Sequence, residues 1–61
     1  MDGHEERAFR YRQRAEELRT ITPNMKDETY REILTRIAAD YDRLADTHER
    51  LAQEDRERRA V

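Results

Sequence analysis

The 61-residue chain has no cysteine and no tryptophan, one phenylalanine, one glycine and one proline. Without cysteine it can form neither a disulfide staple nor a thiolate metal site. Gly3 and Pro23, the only strong helix breakers, both lie outside the stretch from Asp27 to about Glu57. No apolar run approaches the roughly 20 residues that span a bilayer. The opening Met1-Asp2-Gly3-His4 lacks a basic region and an apolar core, so no signal peptide is expected. With no address of any kind, the expected compartment is the cytoplasm. Apolar residues are also scarce, at 34% against 46% charged, a balance that taken as composition alone leans toward disorder. A net charge of −2 gives no global pull toward nucleic acid or anionic lipid.

What apolar residues there are fall into a pattern. Tyr30, Leu34, Ile37, Tyr41, Leu44, His48 and Leu51 follow a 4-3-4-3-4-3 rhythm, the spacing of a helix that packs along another helix. With Leu34, Tyr41 and His48 as a positions, Tyr30, Ile37, Leu44 and Leu51 are d, and Ala38, Ala45 and Ala52 recur at e. The apolar face is therefore wider than a bare seam and has one smooth, small-residue side, suited to close approach by more than one neighbouring helix.

Ahead of this segment, Asp2 and Glu5 form a capping pair, and Ala8, Tyr11, Ala15 and Leu18 follow at 3-4-3 spacing. A first amphipathic helix is expected over about 3–21, ended by Pro23. Two starts compete for the second helix, Thr22-Pro23 and Asp27-Glu28. Asp27 is preferred as N-cap because a reversal between helices usually needs roughly 2–8 residues. A single helical turn at the start of that connection is compatible with the sequence. The second helix is expected over about 28–57, with a frayed tail at 58–61. The fold class is thus all-α, a two-helix antiparallel hairpin forming a single domain.

At about 1.5 Å per residue, such a hairpin lets the first helix cover the second only to about Ala45, leaving His48, Leu51 and Ala52 beyond it. A patterned stripe left in water implies a cover, and the simplest is a second copy, giving a four-helix bundle about a two-fold axis. Arg7, Arg12, Arg14 and Arg19 flank the first seam, while Asp40 and Glu54 flank the second, so opposite signs meet across the joint.

Few residues suggest chemistry. His48 has neither an H-E-x-x-H nor a Glu-x-x-His context, since Ala45 stands three before it. It is read as a core-edge histidine bonded to a carboxylate or to its symmetry mate, so that acid would weaken the dimer. His4 is read as a solvated terminal side chain. Tyr11, Tyr30 and Tyr41 are all placed on the seam. Phe9 lies off the first seam, in reach of a partner chain. Arg7, Arg10 and Arg14 make a short basic strip that Glu5, Glu6, Glu16 and Glu17 interrupt. No nucleophile–base set, phosphate loop or metal cluster is present in the sequence, so neither cofactor nor metal is expected and catalysis by the isolated chain is not.

The runs Tyr11-Arg12-Gln13-Arg14-Ala15-Glu16-Glu17-Leu18-Arg19, Met25-Lys26-Asp27-Glu28 and Leu34-Thr35-Arg36-Ile37-Ala38-Ala39-Asp40-Tyr41-Asp42-Arg43-Leu44-Ala45 resemble a group of small alphaproteobacterial proteins sharing a YRxRAEELR…MKDxxxRxxLxRIAxDYxRLA pattern. That group often carries Asp-Pro where this chain has Asp27-Glu28. The resemblance implies a helical hairpin and no activity. The expected role is a self-associating protein–protein interaction or structural module, with Phe9, Leu34, Ile37, Tyr41, Leu44, His48 and Leu51 as assembly residues and a further protein as its partner. The alternative is a small nucleic-acid-binding regulator using the Arg7, Arg10 and Arg14 face.

Overall fold

A computed structural model describes residues 3–60 and contains two helices, α1 (Gly3–Ile21) and α2 (Glu28–Ala60), packed on each other as a hairpin. α1 carries Glu5 and Glu6 in its first turn and Arg19 in its last, each suited to the helix dipole there. Its expected cap, Asp2, lies outside the described residues. At the far end the Thr22 hydroxyl donates to the Leu18 carbonyl, and Thr22–Asn24 tightens into a single 3₁₀ turn with Pro23 at its start. The Met25 N–H closes that turn onto the Thr22 carbonyl at 3.0 Å, and Met25 itself is extended (φ −77°, ψ 128°). Asp27 then caps α2: its Oδ1 accepts from the Tyr30 N–H at 3.2 Å. α2 continues to Ala60, three residues past the expected end at Glu57.

The molecule measures 53 × 15 × 11 Å. Its length is that of α2, about 50 Å at 1.5 Å per residue, and its thickness is that of one helix. A layer one helix thick can bury side chains only along the line where the two helices meet. That line consists of alanines: Ala8 and Ala15 of α1 and Ala38, Ala45 and Ala52 of α2 are the buried apolar residues, spaced by seven along each helix. Small side chains at this spacing let the two backbones approach closely along the joint. The five methyl groups contribute only about 4 kcal/mol of transfer free energy at about 0.8 kcal/mol each. The half-buried residues flanking the line, Tyr11, Leu18, Leu34, Tyr41, His48 and Leu51, supply the rest of the apolar contact.

Two expectations are corrected here. The joint is centred on the e column rather than between a and d, a rotation of about 70° at 100° per residue. Ile37 and Leu44 at d consequently stand exposed, and so does Tyr30, which is not on the intramolecular seam. The register also differs. α1 does not stop opposite Ala45: Nδ1 of His4 lies 2.8 Å from Nδ1 of His48, and Glu5 pairs with Arg56. His48, Leu51 and Ala52 are therefore covered by α1. The reason lies in the connection, which starts α2 well beyond the end of α1. Arg19, Thr22 and Pro23 adjoin Thr35, Ala38 and Ala39, so the overhang is at the connection end, around Tyr30, Ile33 and Ile37.

Candidate functional site

The hairpin has two unlike faces. On one, Arg12 of α1 reaches three carboxylates of α2: its Nε lies 2.8 Å from Glu49, one Nη 2.7 Å from Asp46, and the other 3.8 Å from Asp42. Arg19 holds Asp42 as well, and Glu5 holds Arg56 beyond the other end of the array. The hydrogen bond from Arg19 holds the Asp42 carboxyl below the usual carboxylate range, with the charges of Arg19 and Arg12 adding to it against some desolvation. Arg12 in turn keeps its proton more firmly than usual, first through its hydrogen bond to Glu49 and then through that to Asp46. Phe9 emerges on this face, 62% exposed, beside Glu5, Arg12, Glu49, Gln53 and Arg56.

Acidic partners at the joint were expected to be Asp40 and Glu54. The structure instead ties Asp40 to Arg43 on its own helix and uses Asp42, Asp46 and Glu49 across the joint. The same rotation that brings alanines to the centre brings the b and f positions to the rim. A signal for it is present in the sequence: Arg12 and Arg19 are seven apart, as are Asp42 and Glu49, in step with Ala8 and Ala15.

The other face is apolar. Tyr11 stacks on Tyr41 (centroids 5.9 Å, 26°) and on His48 (5.5 Å, 23°), and His48 stacks on His4 (5.1 Å, 29°). His48 thus finds a partner within its own chain, in His4. His4 is half-buried rather than solvated. Beside this ring stack lie Leu34, half-buried, and the exposed Ile37 (37%) and Leu44 (41%), continued by Tyr30 and Ile33 over the overhang. Leu51 is half-buried at the other end. Of the seven expected assembly residues, six belong to this face or its rim. Phe9 belongs to the opposite one.

Arg7, Arg10 and Arg14 do come together, around a shallow hollow floored by Tyr11 and Tyr41. Arg10 is paired with Glu6 at 2.7 Å and Arg14 with Glu17 at 3.3 Å. Each pair is exposed and weak. Among the described residues, no group of three or more His, Asp or Glu converges to hold a metal ion, and no helix is long and apolar enough to cross a membrane. Compared with known proteins, the chain finds no match among family models, curated proteins or solved structures.

Proposed function

We propose that the chain is a self-associating interaction module whose apolar face docks on the same face of a second copy, completing a four-helix bundle. The observation that carries this reading is the column Ile37–Leu44, continued by Tyr30 and Ile33. It stands at seam spacing and is left in water by the hairpin's own packing. A one-helix-thick layer with a single apolar face is half of a two-layer bundle. Charge favours a second copy as occupant. The face is edged by Arg7 and Arg14 on α1 and by Asp40 and Glu54 on α2, of which Arg14 also pairs with Glu17 and Asp40 with Arg43. A two-fold axis parallel to the helices lays α1 of one copy over α2 of the other, basic edge over acidic edge. Phe9, on the far face, has no place in that interface and is the point for a second contact, with a different protein. Kinship with the small alphaproteobacterial hairpin proteins belongs to the same proposal, as does a cytoplasmic, non-catalytic role.

The test is sedimentation of the wild-type chain beside Ile37→Arg and Leu44→Arg at micromolar concentration, with helicity followed by circular dichroism. The wild type is expected at twice the chain mass and both variants at one chain mass with unchanged helix content. A wild type that stays monomeric, or variants that keep the wild-type mass, would overturn the proposal. The nucleic-acid alternative requires binding that weakens steeply with salt, and Arg7→Gln, Arg10→Gln and Arg14→Gln would then abolish it.

A further inference from the structure

Three ion pairs cross the joint at one register: Glu5 with Arg56, Arg12 with Glu49 and Arg19 with Asp42. In each, α1 advances by seven residues while α2 retreats by seven, so residue 7 of α1 stands level with residue 54 of α2 and residue 21 with residue 40. A two-fold axis parallel to the helices turns a second copy without moving it along them. α2 of that copy therefore lies beside α1 at the same heights, with Glu54 level with Arg7 and Ile37 within one turn of Ile21. All four side chains are left over by the hairpin itself. Arg7 and Glu54 are exposed and have no ion pair among the described residues, while Ile21 is 44% and Ile37 37% exposed. We propose that two keys set the direction and register of the assembly: Arg7 pairs with Glu54 of the second copy, and Ile21 packs on Ile37 of the second copy. Both keys rest on the two-fold bundle proposed above and name the residues that meet in it.

Neither key can close within one hairpin. Glu54 follows the buried Ala52 by two residues, about 200° round the helix, and so turns away from its own α1. The arginines after it are engaged elsewhere, Arg56 with Glu5 and Arg58 with Asp55. The acids before Arg7 are engaged as well, Glu5 with Arg56 and Glu6 with Arg10. Arg7, Arg14 and Ile21 recur at intervals of seven and share one column of α1, which passes from basic to apolar along the helix. On α2 the facing edge passes from the acidic Glu54 to the apolar Ile37 over the same span. Basic meets acidic and apolar meets apolar at both ends only when α1 of one copy lies antiparallel to α2 of the other at this register. An axis across the helices would instead lay α1 on α1, setting the Arg7 and Arg14 column against its own copy. One exposed pair adds little binding energy, so the ionic key selects an orientation more than it holds the dimer together.

The test is a charge-reversal cycle read by sedimentation, with Arg7→Glu, Glu54→Arg and the two together beside the wild type. Each pair occurs twice in a two-fold dimer, so either single reversal should weaken dimerisation by about 10-fold, and the double reversal should return it to within about 3-fold of wild type. Neither reversal opposes the dipole of its own helix, so a weaker dimer does not arise from melted helix, and circular dichroism checks this. Because the chain has no cysteine, a short bismaleimide supplies a second readout. A mixture of Ile21→Cys and Ile37→Cys chains should cross-link one to the other, while Ile37→Cys alone should not cross-link to itself. A dimeric wild type whose double reversal fails to recover, or whose Ile37→Cys chains join each other and not Ile21→Cys, would overturn the keys and leave self-association standing. A wild type that sediments as single chains would overturn self-association itself, and the keys with it.

Discussion

Replacing Ala45 by leucine should damage this hairpin more than removing the leucine beside it. Ala45 is 0% exposed and lies in the buried line with Ala15, also 0%. Leucine there adds three carbons to a joint whose closeness depends on methyl-sized side chains, and overpacking of this kind costs about 1–3 kcal/mol. Helix propensity barely enters, since alanine and leucine are both strong formers. Leu44 is 41% exposed, so Leu44→Ala gives up only part of the roughly 1.5–3 kcal/mol of a fully buried leucine, about 1–1.5 kcal/mol. An ordinary seam centred between a and d predicts the reverse order, with the leucine truncation costing about 2–5 kcal/mol. The assay is urea unfolding by circular dichroism at a concentration where sedimentation shows single chains. At roughly 4–8 °C per kcal/mol for a chain of this size, the thermal midpoints should separate visibly. If Leu44→Ala costs about 2–5 kcal/mol in the monomer while Ala45→Leu costs less than about 1 kcal/mol, the helices do not meet along the alanines.

Other perturbations probe separate parts of the structure. Asp27→Ala removes the side chain that accepts from the Tyr30 N–H and should cost about 1 kcal/mol, read as a lower urea midpoint at unchanged slope. Arg19→Gln removes the main cause of the lowered Asp42 pKa, so the Asp42 carboxyl signal should titrate at higher pH in carbon-13 spectra, with Arg12 at 3.8 Å retaining part of the shift. The sign for stability follows from a folded pKa below the unfolded one. Asp42 contributes fully above the ordinary carboxylate range and loses that contribution as pH falls through its depressed value, so Arg19→Gln should flatten the acid limb of the stability curve. Leu44→Arg should leave a lone hairpin at wild-type helicity, as should Ile37→Arg, the mass again deciding.

The helices were legible in the sequence because their signals are local. Pro23 and Asp27 mark the boundary, and the 3-4 spacing of Ala8, Tyr11, Ala15 and Leu18 marks the inner side of α1. The rotation of α2 was harder to see, because size rather than hydrophobicity decides it. A heptad reading ranks Leu44 and Ile37 above Ala38 and Ala45 as core. Two helices alone can gain more by bringing backbones together over alanines while keeping larger side chains at the flanks. The register is hidden for a related reason: helix lengths alone presume a tight reversal at the connection. The extended Met25 and the 3₁₀ turn shift α2 along α1, and only a long-range pairing such as His4 with His48 reports that shift. No rule of spacing within one helix contains it.

The division of faces bears on why so small a chain carries so much charge. Arg12 with Asp42, Asp46 and Glu49, and Glu5 with Arg56, fix which helix edge meets which, yet exposed pairs of this kind add little stability. Their effect is on specificity, since a hairpin sliding by one turn would break several together. The same array makes one broad face unsuitable for burial against another hydrophobic surface. The apolar side chains left at the surface of α2 are thereby gathered on the face bearing Ile37 and Leu44, the face that the proposed second hairpin would cover. Alanines at the joint and the exposed Tyr30, Ile37 and Leu44 beside it are then two columns of a single helix, the small side chains closing the hairpin and the large ones left at its surface.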